Sequence, residues 1–180
     1  MCRRVSIGQG EGVAELERTA NELCAQIESK RERAALRVDT PRWGSISMKS
    51  VYDAKTDPDW IEMTNRIEAM DASPMRDFLL KRQQLKLSMG KIELELPSQF
   101  AVIGNCIFIT MPCDTCSTLG LDFKRAFSQY NVFVIGYANT YCNYLVPQED
   151  YGKYFETYNS RTPRGVADAF VARIIRGGRC

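Results

Sequence analysis

The chemistry open to this chain is limited first by what it lacks, because its 180 residues include no histidine. Imidazole is the commonest zinc ligand and the usual general base near neutral pH. Any reaction run by this chain alone must do without it. Seven cysteines are present, and the residues of interest concentrate in two segments. One is Met111-Pro112-Cys113-Asp114-Thr115-Cys116. The other is Ala138-Asn139-Thr140-Tyr141-Cys142-Asn143-Tyr144.

Three chemistries are open on these patterns. Cys113-x-x-Cys116, between an apolar strand and a helix, has the context of a thiol–disulfide redox site, where a helix N-terminus lowers a thiol pKa. Pro112 ahead of the first thiol and the lack of a flanking aromatic residue weigh against it. Cys113, Cys116 and Cys142 could hold a structural zinc with one more ligand, though there is no second C-x-x-C. Gly8-Gln9-Gly10-Glu11-Gly12 before a helix could cradle a phosphate. Yet no strand leads into it, and Glu11 would repel the anion. The plain alternative is a tight turn at 111–116 and a polar surface loop at 138–144.

Composition excludes some classes. A formal net charge of +2 gives no reason to invoke nucleic acid or an anionic membrane. The basic ends, Arg3 and Arg4 with Arg173, Arg176 and Arg179, read as solvated termini. No apolar run approaches the roughly 20 residues of a membrane span. Gly8 to Gly12 stand where a signal peptide needs an apolar stretch. The chain as written is therefore expected in the cytosol. The odd, irregularly spaced cysteines suit reduced thiols. An apolar fraction of 44% is ordinary for one domain or a large piece of one.

The elements that would position the two segments follow from periodicity. Residues 1–10 form a loose lead-in. Val13, Leu16, Ala20, Leu23, Cys24 and Ile27 lie on one face of a helix from about 12 to 33. Leu36 with Val38, and Ile46 with Met48, suggest short strands. Asp57-Pro58 and Ser73-Pro74 each start a helix, so that 11–90 reads as mainly helical with short strands, its two charged helices forming a connecting layer.

From Ile92 the character changes. Ile92, Leu94 and Leu96 alternate with Glu93 and Glu95, and Gly104-Asn105 makes a two-residue hairpin turn. Cys106 to Ile109 and Val132 to Ile135 read as buried strands. A helix from about Thr118 to Gln129, capped by Ser117 or Thr118, joins them into a βαβ unit. A polar, tyrosine-rich loop spans 138–160. Thr162-Pro163 caps a last helix carrying Val166, Ala169, Phe170, Ile174 and Ile175, which Gly177-Gly178 ends. The fold class is α/β with a mixed sheet and flanking helices. Because active sites of open α/β sheets lie beyond the carboxyl ends of the strands, the two segments are expected to share one rim.

The residues also carry a resemblance. Pro112-Cys113-Asp114 is followed by Ser117-Thr118-Leu119-Gly120 and a helix, then an apolar strand from Val132 to Gly136. Asn139-Thr140-Tyr141-Cys142-Asn143-Tyr144, Glu149-Asp150-Tyr151 and Phe155-Glu156 come after it. In order and spacing this resembles the C-terminal end of the catalytic domain of the neutral/alkaline ceramidases, over about residues 91–176. The resemblance implies a single partial domain and a zinc amidohydrolase acting on ceramide or a related lipid amide. In that family a zinc-bound water attacks the amide carbonyl.

By matched position, Asp114 stands for the family's metal-binding glutamate and Tyr144 for its metal-binding tyrosine. Tyr154 or Phe155 falls at the substrate-contacting tyrosine. Two departures matter. Asp114 is one methylene shorter than glutamate, and the family's two histidine ligands have no counterpart. A thiolate from Cys113, Cys116 or Cys142 could substitute. The expectation is a chain inactive by itself, associating with a missing N-terminal half of the domain or with itself. Neither nucleic acid nor a transmembrane segment is expected.

Overall fold

The computed structural model describes residues 12–31 and 40–178. The lead-in, the glycine-rich stretch up to Glu11 and the Leu36–Val38 strand lie outside the described residues. Two units divide the chain, Met1–Asp39 and Thr40–Cys180. The first holds helix α1 (Gly12–Arg31), whose Leu23 and Ile27 are exposed.

The second unit is α/β and contains a four-stranded mixed sheet in the order β1-β2-β3-β5. Strand β1 (Arg42–Asp53) pairs antiparallel with β2 (Lys91–Ile103) along its whole length. The short strand expected around Ile46 is therefore a twelve-residue element of the main sheet. Its alternation was obscured by serines at core-facing and solvent-facing positions alike, and by Gly44. That glycine sits opposite Phe100, and a Cβ there would come within 2.5 Å of the Phe100 ring. The ring covers the glycine in place of a side chain.

The hairpin at Gly104-Asn105 is formed, with Gly104 at φ 57° and Ile103 opposite Cys106. It leads into β3 (Cys106–Thr110), antiparallel to β2 and parallel to β5 (Asn131–Ile135). Between the parallel strands lie the two-residue strand β4 (Asp114–Thr115) and helix α4 (Ser117–Ala126). Strand β6 (Tyr144–Leu145), a 3-10 turn at Gln148–Asp150 and helix α5 (Phe155–Asn159) break up the expected 138–160 loop. Helix α6 (Val166–Gly177) ends the described chain.

One face of the sheet is covered by α4 and α6. Leu96, Ile107 and Ile109 from the strands meet Phe123 and Phe127 from the α4 end and Phe170 and Ile174 from α6, all at most 1% exposed. Helix α6 comes so close to β1 that a Cβ on Gly177 would lie 2.4 Å from Ile46 Cδ1. Complete burial of such side chains is worth about 1.5–3 kcal/mol each, which makes this layer the main source of stability.

The connecting helices α2 (Pro58–Glu68) and α3 (Pro74–Met89) start where the Asp-Pro and Ser-Pro pairs indicate. Asp57 accepts from the N–H groups of Asp59 and Trp60, and Ser73 accepts from that of Arg76. They pack outside the main core in two smaller clusters. Trp60 joins Tyr52, Ile92 and Leu94, and Met63 joins Val146 and Tyr151.

Three local expectations are corrected. Strand β5 is an edge strand, with Phe133 and Ile135 nearly half exposed, not a buried one. An unbroken apolar run does not show whether both its faces are covered. Neither Ser117 nor Thr118 caps α4: Cys116 holds the cap position and its side chain makes no cap bond to the helix, and Thr118 Oγ1 is buried without a partner. Helix α6 is capped by Gly165 at φ 81°, three residues later than Thr162. Thr162 is instead buried in a hydroxyl turn with Ser160.

On the second face of the sheet, large apolar side chains stand exposed on both edge strands. Trp43, Ala101, Phe108 and Phe133 are successive cross-strand partners in one row, with Trp43 81% exposed and the Phe108 and Phe133 rings stacked 5.0 Å apart. No described helix is long and apolar enough to cross a membrane.

Candidate functional site

The two chemistry-bearing segments meet beyond the ends of β3 and β5. Because these strands are parallel neighbours, the chain leaves both at the same edge of the sheet. Backbone bonds then lace the segments together. Met111 N–H donates to Ile135 O (2.8 Å) and Tyr137 N–H to Cys113 O (3.2 Å). Cys142 N–H donates to Pro112 O (2.7 Å), and Asp114 N–H to Asn143 O (3.0 Å). The lacing ends in the parallel pair β4–β6, where Asp114 is the direct partner of Tyr144.

Getting the second segment into this position takes unusual backbone. Among the described residues, the non-glycine residues with positive φ are Tyr137 (57°), Asn139 (71°) and Asn143 (64°). Asparagine tolerates this region through local hydrogen bonding, and tyrosine does not. Asn143 Nδ2 donates to Asn159 O (3.0 Å), and Asn139 Nδ2 donates to Thr110 Oγ1 (3.2 Å), so both asparagines are anchored.

Asp114 is half-buried and surrounded by phenols. Tyr141 Oη donates to Asp114 Oδ2 at 3.2 Å. The Asp114 carboxylate near Tyr137 pushes the pKa of that phenol up to about 12. The Tyr137 and Tyr141 rings stack at 5.2 Å and 14°. Burial raises the pKa of Tyr144, and the negative charges of Asp114 and Glu156 raise it further. Tyr141 is raised in the same way, by desolvation and then by Asp114. Among the described residues, no lysine or arginine lies within ion-pair distance of Asp114.

The thiols are sorted differently. An extended chain sends alternate side chains to opposite sides, so Cys113 shares a side with Thr115 and Asp114 shares one with Cys116. Cys113 Sγ accordingly lies 3.5 Å from Thr115 Oγ1. Cys113 and Cys142 are both in the main core. The influence of the two thiols on each other pushes the Cys113 pKa up and the Cys142 pKa down, and burial adds to the rise of Cys113. Cys116 packs with Met63, Val146 and Tyr151. The structure therefore brings together Cys113 and Cys142, whereas the C-x-x-C pattern paired Cys113 with Cys116.

Tyr154 and Phe155 are exposed at the start of α5. From that turn, Glu156 is the residue whose charge reaches Tyr144. Tyr137 is the site residue that sequence reading missed. The signal was the run of two asparagines and a glycine just past β5, which foretells left-handed backbone able to turn a tyrosine back toward the rim.

No protein-family model matches the sequence, and no curated protein does. A crystal structure of the neutral ceramidase from Pseudomonas aeruginosa aligns with 76% of this chain, at 15% identity and a TM-score of 0.38. The aligned part spans 29% of that structure. This is a distant likeness of fold and assigns no residue a role.

Zinc favours four nitrogen, sulfur or oxygen donors in a tetrahedron. Asp114 and Tyr144 supply three oxygens at most, two from the carboxylate and one from the phenol, and one oxygen of Asp114 already accepts from Tyr141. Among the described residues, no three histidine, cysteine, aspartate or glutamate side chains form a metal-holding group. The residues present do not make a complete zinc site.

Proposed function

We propose that this chain is the C-terminal part of a ceramidase-like amidohydrolase domain whose substrate class is a lipid amide, and that by itself it lacks a working catalytic centre. The observation that carries the reading is the register of β4 and β6, which sets Asp114 beside Tyr144. These are the two positions that match the family's carboxylate and phenol ligands. In a complete centre they would form one edge of the metal site, with the remaining ligands supplied by other residues. The exposed Trp43 and Phe133 at the ends of the row Trp43–Ala101–Phe108–Phe133 suit a chain whose sheet is covered by more of the same domain.

The test is a zinc titration of the purified chain beside an assay with a fluorogenic lipid amide. Zinc is expected to bind weakly, to lose that binding in Asp114→Asn and Tyr144→Phe, and to give no turnover. Turnover by the chain alone would overturn its incompleteness. Zinc binding unchanged in both variants would overturn the metal-edge role of the pair.

A further inference from the structure

We propose that the rim built from Asp114, Tyr137, Tyr141 and Tyr144 binds a small organic ammonium ion. The inference stands apart from the amidohydrolase reading, because ring faces and a carboxylate attract such a cation whether or not a metal was ever held nearby.

Three observations carry it. The first is electrostatic. Asp114 is half-buried and has no cationic partner among the described residues, and Glu156 is a second negative charge that reaches Tyr144. A carboxylate in that position attracts a cation and repels anions, which excludes phosphate or a free fatty acid as the favoured occupant.

The second is the aromatic surface. Tyr137 is 65% exposed and Tyr141 46% exposed, yet their rings are held parallel as a stacked pair. Tyr141 Oη donates to Asp114 Oδ2 at 3.2 Å, and the same carboxylate raises the pKa of Tyr137. A phenol that donates to a carboxylate gains electron density in its ring, and the ring face attracts cations more strongly. The spacing of 5.2 Å leaves no room for an ion between the rings. The cation would sit on an outer ring face, against the Asp114 side.

The third is the backbone. Tyr137 adopts φ 57° while its ring remains largely in water. A left-handed tyrosine is strained, and burial of this ring does little to offset the strain. Strain of this sort gathers at binding sites. What the conformation achieves is to stack the Tyr137 ring on Tyr141, whose hydroxyl is bonded to Asp114. Metal ions are a poorer match, since among the described residues no three histidine, cysteine, aspartate or glutamate side chains gather to hold one. A weakly hydrated ammonium needs only faces and one counter-charge.

The experiment is a titration of the full chain with tetramethylammonium and with choline, followed by NMR of the ligand methyl and tyrosine ring protons. The neutral isostere 3,3-dimethylbutan-1-ol serves as control. Saturable upfield shifts of the methyl protons are expected, with the isostere bound about tenfold more weakly. Asp114→Asn is expected to weaken choline binding by a similar factor. Tyr137→Leu, at an exposed ring, gives a second reading should Asp114→Asn fold poorly.

Sedimentation with phosphatidylcholine vesicles distinguishes the source. Vesicle binding that requires Asp114 identifies a lipid headgroup, and soluble binding alone identifies a free cation. Absence of saturable shifts, equal binding of the isostere, or choline binding unchanged in both variants would overturn the proposal.

Discussion

Two clusters in this protein combine aromatic rings with oxygen acceptors, and they differ in whether a cation is already in place. Beneath α3, Lys86 Nζ sits 4.3 Å from the centre of the Trp60 ring and donates to the carbonyls of Tyr158 (3.0 Å) and Ser160 (2.9 Å). Tyr52 stacks on Trp60 from another side. The space left there is about 10 Å³, enough for no more than one water. At the rim, three tyrosines surround Asp114 with no lysine or arginine in ion-pair range among the described residues. The first cluster is closed and filled by a side chain of the protein. The second is open and carries unbalanced negative charge. The contrast teaches that a ring-and-acceptor arrangement built for stability supplies its own cation, whereas one that leaves the place vacant is available to a ligand.

The largest effect should come from Trp60→Ala. The side chain is 3% exposed and supports both Tyr52 and Lys86. A loss of about 3–5 kcal/mol is expected in denaturant unfolding, as for other buried aromatic truncations. A loss below that of a surface substitution would mean that the closed cluster is not structural.

Lys86→Met comes next, at about 1–2 kcal/mol, because it leaves two carbonyls without their donor while removing a buried amine. The same residue gives a pH signature. Burial, with Arg82 and Arg161 adding repulsion, lowers its pKa to about 7 from an ordinary 10.5. Between those values the unfolded chain binds the proton and the folded chain does not, so stability rises with pH. The slope can reach about 1.4 kcal/mol per pH unit for one proton. It should vanish in Lys86→Met, and an unchanged slope would assign it to another group.

Asn143→Ala should cost about 1–2 kcal/mol, from a left-handed alanine and the lost bond to Asn159 O. Restoration by Asn143→Gly of the conformational part alone would separate the two contributions. The smallest effect belongs to Asp114→Asn, within about 0.5 kcal/mol of the parent, since no ion pair is lost and the amide oxygen still accepts. If Asp114→Asn proved as destabilising as Lys86→Met, the rim would be a structural cluster like its counterpart.

Much of the second half of the fold was legible because its signals are local. The hairpin at Gly104-Asn105, the proline starts of α2 and α3, and the alternation of Ile92 to Leu96 are consequences of steric preference within a few residues. The exposure of β5 was not legible. Val132 to Ile135 is apolar on both sides, and only the packing of helices against one face of the sheet decides that Val132 and Val134 are partly buried while Phe133 and Ile135 face water. The full extent of β1 was hidden for a related reason, because Gly44 and the serines pair well only once β2 lies alongside.

The candidate site divides in the same way. Residue types and spacing alone marked Asp114, Tyr141 and Tyr144 as a potential rim and showed that no imidazole could serve it. They could not show which thiol faces which. The C-x-x-C spacing suggests Cys113 with Cys116, but an extended chain turns residues three apart to opposite sides, and the β4–β6 pairing puts Cys142 beside Cys113 instead. Nor could they show Tyr137 stacked on Tyr141, since that depends on left-handed backbone held by bonds to distant residues. Sequence fixes which groups exist and which local conformations are cheap. The packing of parallel strands, through contacts remote in the chain, determines which of those groups meet.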